Sequence, residues 1–243
     1  MALLTAAVDW QQMRELAGWS ILPLVRLGVL VGIGAALFRA QIMTKATVDA
    51  LSRLTVALLL PAFIASSILT QFRPGQGFYQ GWYFLPISAM VMISAFALMA
   101  YPIARAGRDW LAPRYTVATL SFHNAGYLAI PIVTELYARG PLKEYQGGML
   151  ALLFLFIMGI SPLMWSLGVA AFRETAPSNG QAVWRNAISP PFVASIASVL
   201  ACLVGIPQLL EATTLAQVVS PLTMLGACTV PLMMLILGAT LVQ

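Results

Sequence analysis

The sequence predicts an all-α integral membrane protein, and three observations lead there. Sixty per cent of the 243 residues are hydrophobic, 9% are charged and mean hydropathy is +0.87, against roughly 25% charged residues in an average soluble domain. Seven apolar stretches are each close to the ~20 residues that a helix needs to cross a core of about 30 Å. They run Ser20 to Phe38, Leu54 to Thr70, Trp82 to Ile103, Thr116 to Tyr137, Met149 to Phe172, Ile188 to Ile206 and Val218 to Val242. They are too long and too evenly apolar for barrel strands, which alternate over about ten residues. Seven transmembrane helices are therefore expected.

The first 19 residues lack the basic start and short apolar core of a signal peptide and read as an interfacial segment. The first span carries Pro23 and Arg26, then Gly28, Gly32 and Gly34, which leave one helix surface with little bulk for close helix approach. Arg26 is expected to snorkel to the interface. Gln41 to Arg53 reads as an amphipathic connector, the second span contains Pro61, and Arg73 to Gly77 is a turn-rich loop. The third span has no charged residue. The fifth is continuous apart from a kink at Ser161-Pro162, where Ser161 helps to satisfy freed backbone. Cys202 and Cys228 both fall in spans, as small core residues, and suggest neither disulfide nor metal.

The net charge of +5 is scattered over short loops, which excludes a nucleic-acid surface and instead orients the chain. Arg39, Lys45 and Arg53 follow the first span, Arg105, Arg108 and Arg114 the third, and Arg173 and Arg185 the fifth. The opposite loops hold only Arg14, Arg73, Arg139 and Lys143. The positive-inside rule places the amino terminus outside and the richer loops in the cytoplasm of a multi-pass cell-membrane protein.

The fourth span is unlike the others. It carries Ser121-Phe122-His123-Asn124-Ala125-Gly126-Tyr127-Leu128-Ala129-Ile130-Pro131, polar side chains beside helix breakers. Pro131 has no N–H for the Tyr127 carbonyl and its ring crowds that oxygen, while Gly126 adds backbone freedom. A broken helix is expected, tolerated at that depth only against a cavity or buried in protein. Glu135, the one carboxylate of the span, lies twelve residues from His123, roughly 18 Å along an unbroken helix and too far for a direct pair. It reads as a solvated interfacial group, and Tyr127 as an anchor of one helix face.

A polar linker, residues 175–187, divides a first five-span unit, 1–174, from a two-span unit, 188–243. Pro23 precedes Pro61 by 38 residues and Pro191 precedes Pro231 by 40, so the pattern of the first two spans begins again after an offset of five. An odd offset makes the second copy inverted in the membrane, as in many secondary transporters.

Four stretches in this order resemble the auxin efflux carrier family of membrane transporters, in its bacterial form. They are Leu58-Leu59-Leu60-Pro61-Ala62, Asn124 to Pro131, Ser189-Pro190-Pro191-Phe192, and Val230-Pro231-Leu232 through Leu237-Gly238-Ala239. The resemblance implies a ten-helix, inverted-repeat, elevator-type transporter fold, with spans 1, 2, 6 and 7 as scaffold and spans 3 to 5 in the moving part. It implies a substrate site at the broken fourth span, which places Asn124, Gly126, Tyr127, Pro131 and His123 as candidate substrate-binding residues. His123 departs from the family pattern, which has a small residue there. Against ten spans the chain is expected to be a transporter truncated after the seventh, without the partner that crosses span 4.

The function expected is a secondary transporter, an efflux carrier, of a small organic anion such as a carboxylate, embedded in the lipid bilayer, with no cofactor. A homodimer through the scaffold helices is the expected assembly. The half-helix amino ends and the Asn124 amide would supply favourable dipoles, and an imidazole at His123 would suit proton handling or a packed, pore-facing position. The alternative is a seven-span receptor or sensor, which the span count and outside amino terminus also fit. A retinal protein is disfavoured because the seventh span has no Lys and the third no acidic counter-ion. An enzyme is not expected: no zinc-protease motif, Gly-x-Ser-x-Gly elbow or paired carboxylates occur.

Overall fold

The computed structural model describes residues 10–106, 113–122, 126–138, 140–171, 187–207, 209 and 216–243, and these are helical with short turns. Helix α1 spans Trp10–Arg39, so residues expected to form an interfacial segment instead continue into the first span from Trp10. It closes through Gln41 in the left-handed region, φ 59°, where the Ile42 and Met43 N–H groups turn back to the Leu37 carbonyl.

Thr44 caps the next helix by accepting from the Thr47 N–H at 3.3 Å. Helix α2, Lys45–Leu54, then runs without interruption through a π turn at Thr55–Leu59 into α3, Leu60–Gln71. The expected connector is thus the first part of one 27-residue apolar stretch, Lys45–Gln71. The π turn answers Pro61: the Leu60 N–H reaches back five residues to the Thr55 carbonyl just before the proline, which has no N–H to give.

Helix α4 spans Phe84–Ala106, α5 Pro113–Ser121 and α6 Ala129–Leu136. Helix α7, Gln146–Leu163, passes through a second π turn, Met164–Gly168, into the short α8, Val169–Ala171. Ser161 Oγ donates to the Ile157 carbonyl at 2.8 Å beside Pro162, as expected of a hydroxyl at a proline kink. Beyond the expected linker, which apart from Ala187 lies outside the described residues, come α9, Pro190–Leu203, α10, Ala216–Ala227, and α11, Thr229–Thr240.

Among the described residues five stretches are long and apolar enough to cross a membrane: Ile21–Arg39, Lys45–Gln71, Phe84–Arg105, Leu142–Ala171 and Val219–Thr240. The other two expected spans take different forms. The sixth is the shorter apolar helix Pro190–Leu203, and the fourth is divided between α5 and α6.

Helix α1 packs on α11, and α3 packs on both α9 and α10. A second group joins α4 to α5 and α7, with α6 set against α1 and α7. The close approaches are made by glycine. A Cβ on Gly34 would overlap the Leu235 backbone, and one on Gly238 the Val31 carbonyl, so α1 and α11 touch backbone to backbone. Gly159 meets Pro86 in the same way between α7 and α4. Gly28 and Gly32, expected to share this role with Gly34, have nothing within 4 Å of a Cβ position; of the three, only Gly34 makes the approach. Cys202 is buried and its Sγ lies 3.7 Å from the Ile68 carbonyl of α3, whereas Cys228, at the joint of α10 and α11, is exposed rather than a core residue.

Directions can be read from these contacts. Pro191, at the start of α9, shares a pocket with Val56 and Leu60, and Cys202, near its end, reaches Ile68, so α3 and α9 run the same way. Leu30 faces Val230 across a cavity while Leu37 and Phe38 pack on Ile236 and Ala239, so α1 and α11 also run the same way.

Candidate functional site

The fourth stretch changes from helix to turn and back. Helix α5 ends at the buried Ser121, whose Oγ donates to the Val117 carbonyl at 2.6 Å. Residues 126–128 form a turn, and α6 begins at Ala129, its first bonds running from the Ile130 N–H to Gly126 and from the Ile132 N–H to Leu128. His123 and Asn124, two of the expected substrate-binding residues, lie outside the described residues.

The other three are placed. Gly126 and Tyr127 line a pocket of about 90 Å³ at the centre of the bundle. Its walls come from Leu60 and Ile64 of α3, Phe154 and Ile160 of α7, and Met233 of α11. Both π turns reach it, through Val56 in one and Met164 and Trp165 in the other. π turns shift side chains out of helical register and recur at functional sites. Pro131 is fully buried and occupies the third position of α6. The N–H groups on either side of it, Ile130 and Ile132, each reach back four residues, so the missing N–H of Pro131 leaves out the one bond that would go to the Tyr127 carbonyl, where the turn meets α6. Pro131 thus sits where α6 emerges from the turn at 126–128, with the Tyr127 carbonyl denied its helical N–H. A Cβ on Gly126 would meet nothing within 4 Å among the described residues.

A second, larger cavity of about 410 Å³ adjoins this pocket. It gathers the end of α3 (Thr70, Gln71), the end of α6 (Thr134, Glu135), the start of α7 (Gln146, Gly147) and Thr223 of α10. The seven expected crossings put all four of these ends on one side, the side opposite the arginine-rich loops. Leu150 and Val230 also line it, one turn from Phe154 and Met233 of the smaller pocket. Gln146 Nε2 donates to the Thr134 carbonyl at 2.7 Å and ties α7 to α6.

Arg26 Nη1 stands 3.8 Å from Glu135 Oε2, with the two side chains about a third and a quarter exposed. An ion pair thus bridges α1 and α6, where the sequence reading had a snorkelling cation and a solvated carboxylate. Both are lone charges in apolar spans. The start of span 1 and the end of span 4 fall on the same side, which is the signal from which the pair could have been found. The hydroxyl row Ser66, Ser67 and Thr70 on α3 is a second signal that the sequence reading passed over. Thr229, at the start of α11, is fully buried with no partner for its Oγ1 among the described residues.

A family model described as membrane transport protein matches residues 20–180, more than half of the chain. The match takes in the whole fourth stretch, Arg26, Glu135 and the lining of α3 and α7, and stops before Ser189-Phe192 and Val230-Ala239. No curated protein and no solved structure matches the chain.

Proposed function

The chain belongs to the membrane transport protein family, that of the auxin efflux carriers, and on that premise we propose that it is a secondary transporter that carries a small organic anion such as a carboxylate past the break between α5 and α6. The observation that carries this reading is the division of an apolar stretch into two short helices whose connecting turn, with Gly126 and Tyr127, faces a pocket at the bundle centre. Irregular backbone at that depth is stable only where it lines a cavity or is buried in protein. The amino end of a half-helix offers N–H groups and a partial positive charge to an anion. Asn124, five residues before Ala129 in the sequence, is taken as the amide donor.

The elevator reading assigns α1, α3, α9, α10 and α11 to the scaffold and α4 to α8 to the moving part. It is supported by the packing, in which α1 pairs with α11 and α3 with α9, while α4 gathers α5 and α7. The inverted-repeat reading equates spans 1 and 2 with spans 6 and 7. That exchange turns the α1–α11 pair into an α9–α3 pair, which is the other pairing present. Parallel α1 and α11, and parallel α3 and α9, are also what an odd number of intervening spans requires, spans 2 to 6 lying between the first pair and spans 3 to 5 between the second. With the positive-inside rule, the larger cavity then opens on the outer side.

Reconstitution into liposomes loaded with a radiolabelled monocarboxylate tests the reading. Counterflow above that of empty liposomes is expected, and Asn124→Ala at equal incorporation is expected to reduce it at least about tenfold, the loss of one hydrogen bond to a charged group. Flux unchanged by Asn124→Ala would remove the assignment of the site.

A further inference from the structure

The larger, outer cavity has a lining chemistry of its own. A hydroxyl has one proton to donate and two lone pairs to offer. Ser66 Oγ gives its proton to the Phe63 carbonyl at 3.1 Å, and Thr70 Oγ1 to the Ser66 carbonyl at 2.7 Å. Thr134 Oγ1 donates to the Ile130 carbonyl at 2.8 Å and Thr223 Oγ1 to the Val219 carbonyl at 3.1 Å. On three different helices the hydroxyl protons are spent on backbone, so these groups turn only lone pairs to the cavity. Gln146 uses one Nε2 hydrogen on the Thr134 carbonyl, which leaves Oε1 as an acceptor and one N–H, and Ser67 and Gln71 of α3 add groups that can donate as well as accept.

Glu135 is the one ionisable side chain among the described lining residues. Arg26 approaches it from α1 and is not part of that lining; at 3.8 Å the two are beyond hydrogen-bond distance, so the carboxylate keeps its capacity to accept. The remaining wall is apolar, with Leu30, Leu150 and Val230. A volume of about 410 Å³ is in the range of small-molecule sites, roughly 300–1,000 Å³, and is far larger than a bare ion fills. A majority of acceptors, one carboxylate and an apolar wall together favour a cation that has several N–H donors and a short apolar body.

We propose that the outer cavity is a binding site for a small primary ammonium compound, held by the Glu135 carboxylate and the hydroxyl oxygens of α3, α6 and α10. The three protons of an ammonium meet acceptors already oriented by their own donor bonds, and its alkyl chain lies along Leu30, Leu150 and Val230. A carboxylate ligand would face the like charge of Glu135, so this cavity and the pocket at the break differ in the sign of the charge they favour. The site stands apart from the carrier reading and does not require it.

The test is binding of n-butylammonium to the chain in lipid nanodiscs, read as a saturable rise in unfolding temperature and by calorimetry, with n-butyrate and sodium chloride at equal ionic strength. Saturable binding of n-butylammonium alone is expected. Glu135→Gln is expected to weaken it at least about tenfold, as is Thr223→Val on the opposite wall, each removing an acceptor to a charged donor. Should Glu135→Gln fail to fold, Thr223→Val carries the test. Binding of n-butyrate as tight as that of n-butylammonium, equal binding of sodium, or affinity unchanged in the variants that fold would overturn the proposal. Carboxylate flux measured on the same preparation bears only on the carrier reading.

Discussion

Phe63 of α3 and Phe154 of α7 meet edge to face, with ring centroids 5.4 Å apart and planes at 80°. Phe63 lines the larger cavity and Phe154 the pocket at the break, so the pair stands between the two spaces. Phe63 is held from behind by Gly226 of α10, where a Cβ would come within 2.9 Å of the Phe63 Cα. A solute moving between the cavities on this path has to displace this contact, which such pairs stabilise by about 1 kcal/mol.

Phe63→Ala is therefore expected to join the two spaces. In a chain with Cys202 and Cys228 replaced by alanine, a cysteine introduced at Tyr127 should react with a membrane-impermeant thiol reagent at least about tenfold faster when Phe63 is alanine. Equal rates with and without the Phe63 ring would show that the partition lies elsewhere.

The glycines separate into two classes with opposite expected effects. Gly238→Ala drives a methyl group into the Val31 carbonyl and should cost about 1–3 kcal/mol, the usual range for overpacking. Gly28→Ala and Gly32→Ala enter open space on α1 and should leave stability unchanged or raise it by roughly 0.5–1 kcal/mol through backbone entropy. Unfolding of the three variants in a mild detergent, compared by midpoint, checks the order.

How far the sequence spoke depends on the range of the interaction. Apolar length is a local property, and it placed helices in all seven expected stretches. Gly28, Gly32 and Gly34 look alike in sequence, yet only Gly34 meets Leu235, because which face of α1 receives α11 is decided by a chain segment two hundred residues away. The π turns at Thr55–Leu59 and Met164–Gly168 have no composition of their own; their signal is the neighbouring Pro61 and Pro162, which remove an N–H without stating how the register adjusts. At the site, the turn before Ala129 was legible from the clustering of polar residues and breakers. The Arg26–Glu135 pair was missed because each charge was weighed within its own span, where solvent is the nearest partner.

Pro131→Ala discriminates between proline as the breaker of the fourth stretch and proline as the first turn of α6. With the Ile130 and Ile132 N–H groups each bonded four residues back, alanine at 131 supplies the missing N–H to the Tyr127 carbonyl and should extend α6 back through the turn at 126–128. Spin labels at Thr119 and Val133 report the outcome. A shift toward roughly 21 Å, the rise of fourteen residues of unbroken helix, is expected, whereas a distance equal to that of the parent would show that the break does not depend on Pro131.

Arg26 and Glu135 give the last prediction. Their 3.8 Å separation and partial exposure set the direct coupling at about 0.2–1 kcal/mol, the range of accessible pairs. Removing one partner does more than remove that coupling, because the other is left as a single charge in an apolar span. Each single variant, Arg26→Gln and Glu135→Gln, should therefore lower stability, and the double variant should lower it by less than the sum of the two. The reversed pair, Arg26→Glu with Glu135→Arg, should recover most of the loss, since the contact between α1 and α6 keeps its opposite signs. A double-mutant cycle on unfolding midpoints supplies the measurement. Strict additivity of the two single losses would mean that the charges act independently and that the bridge between α1 and α6 carries no energy.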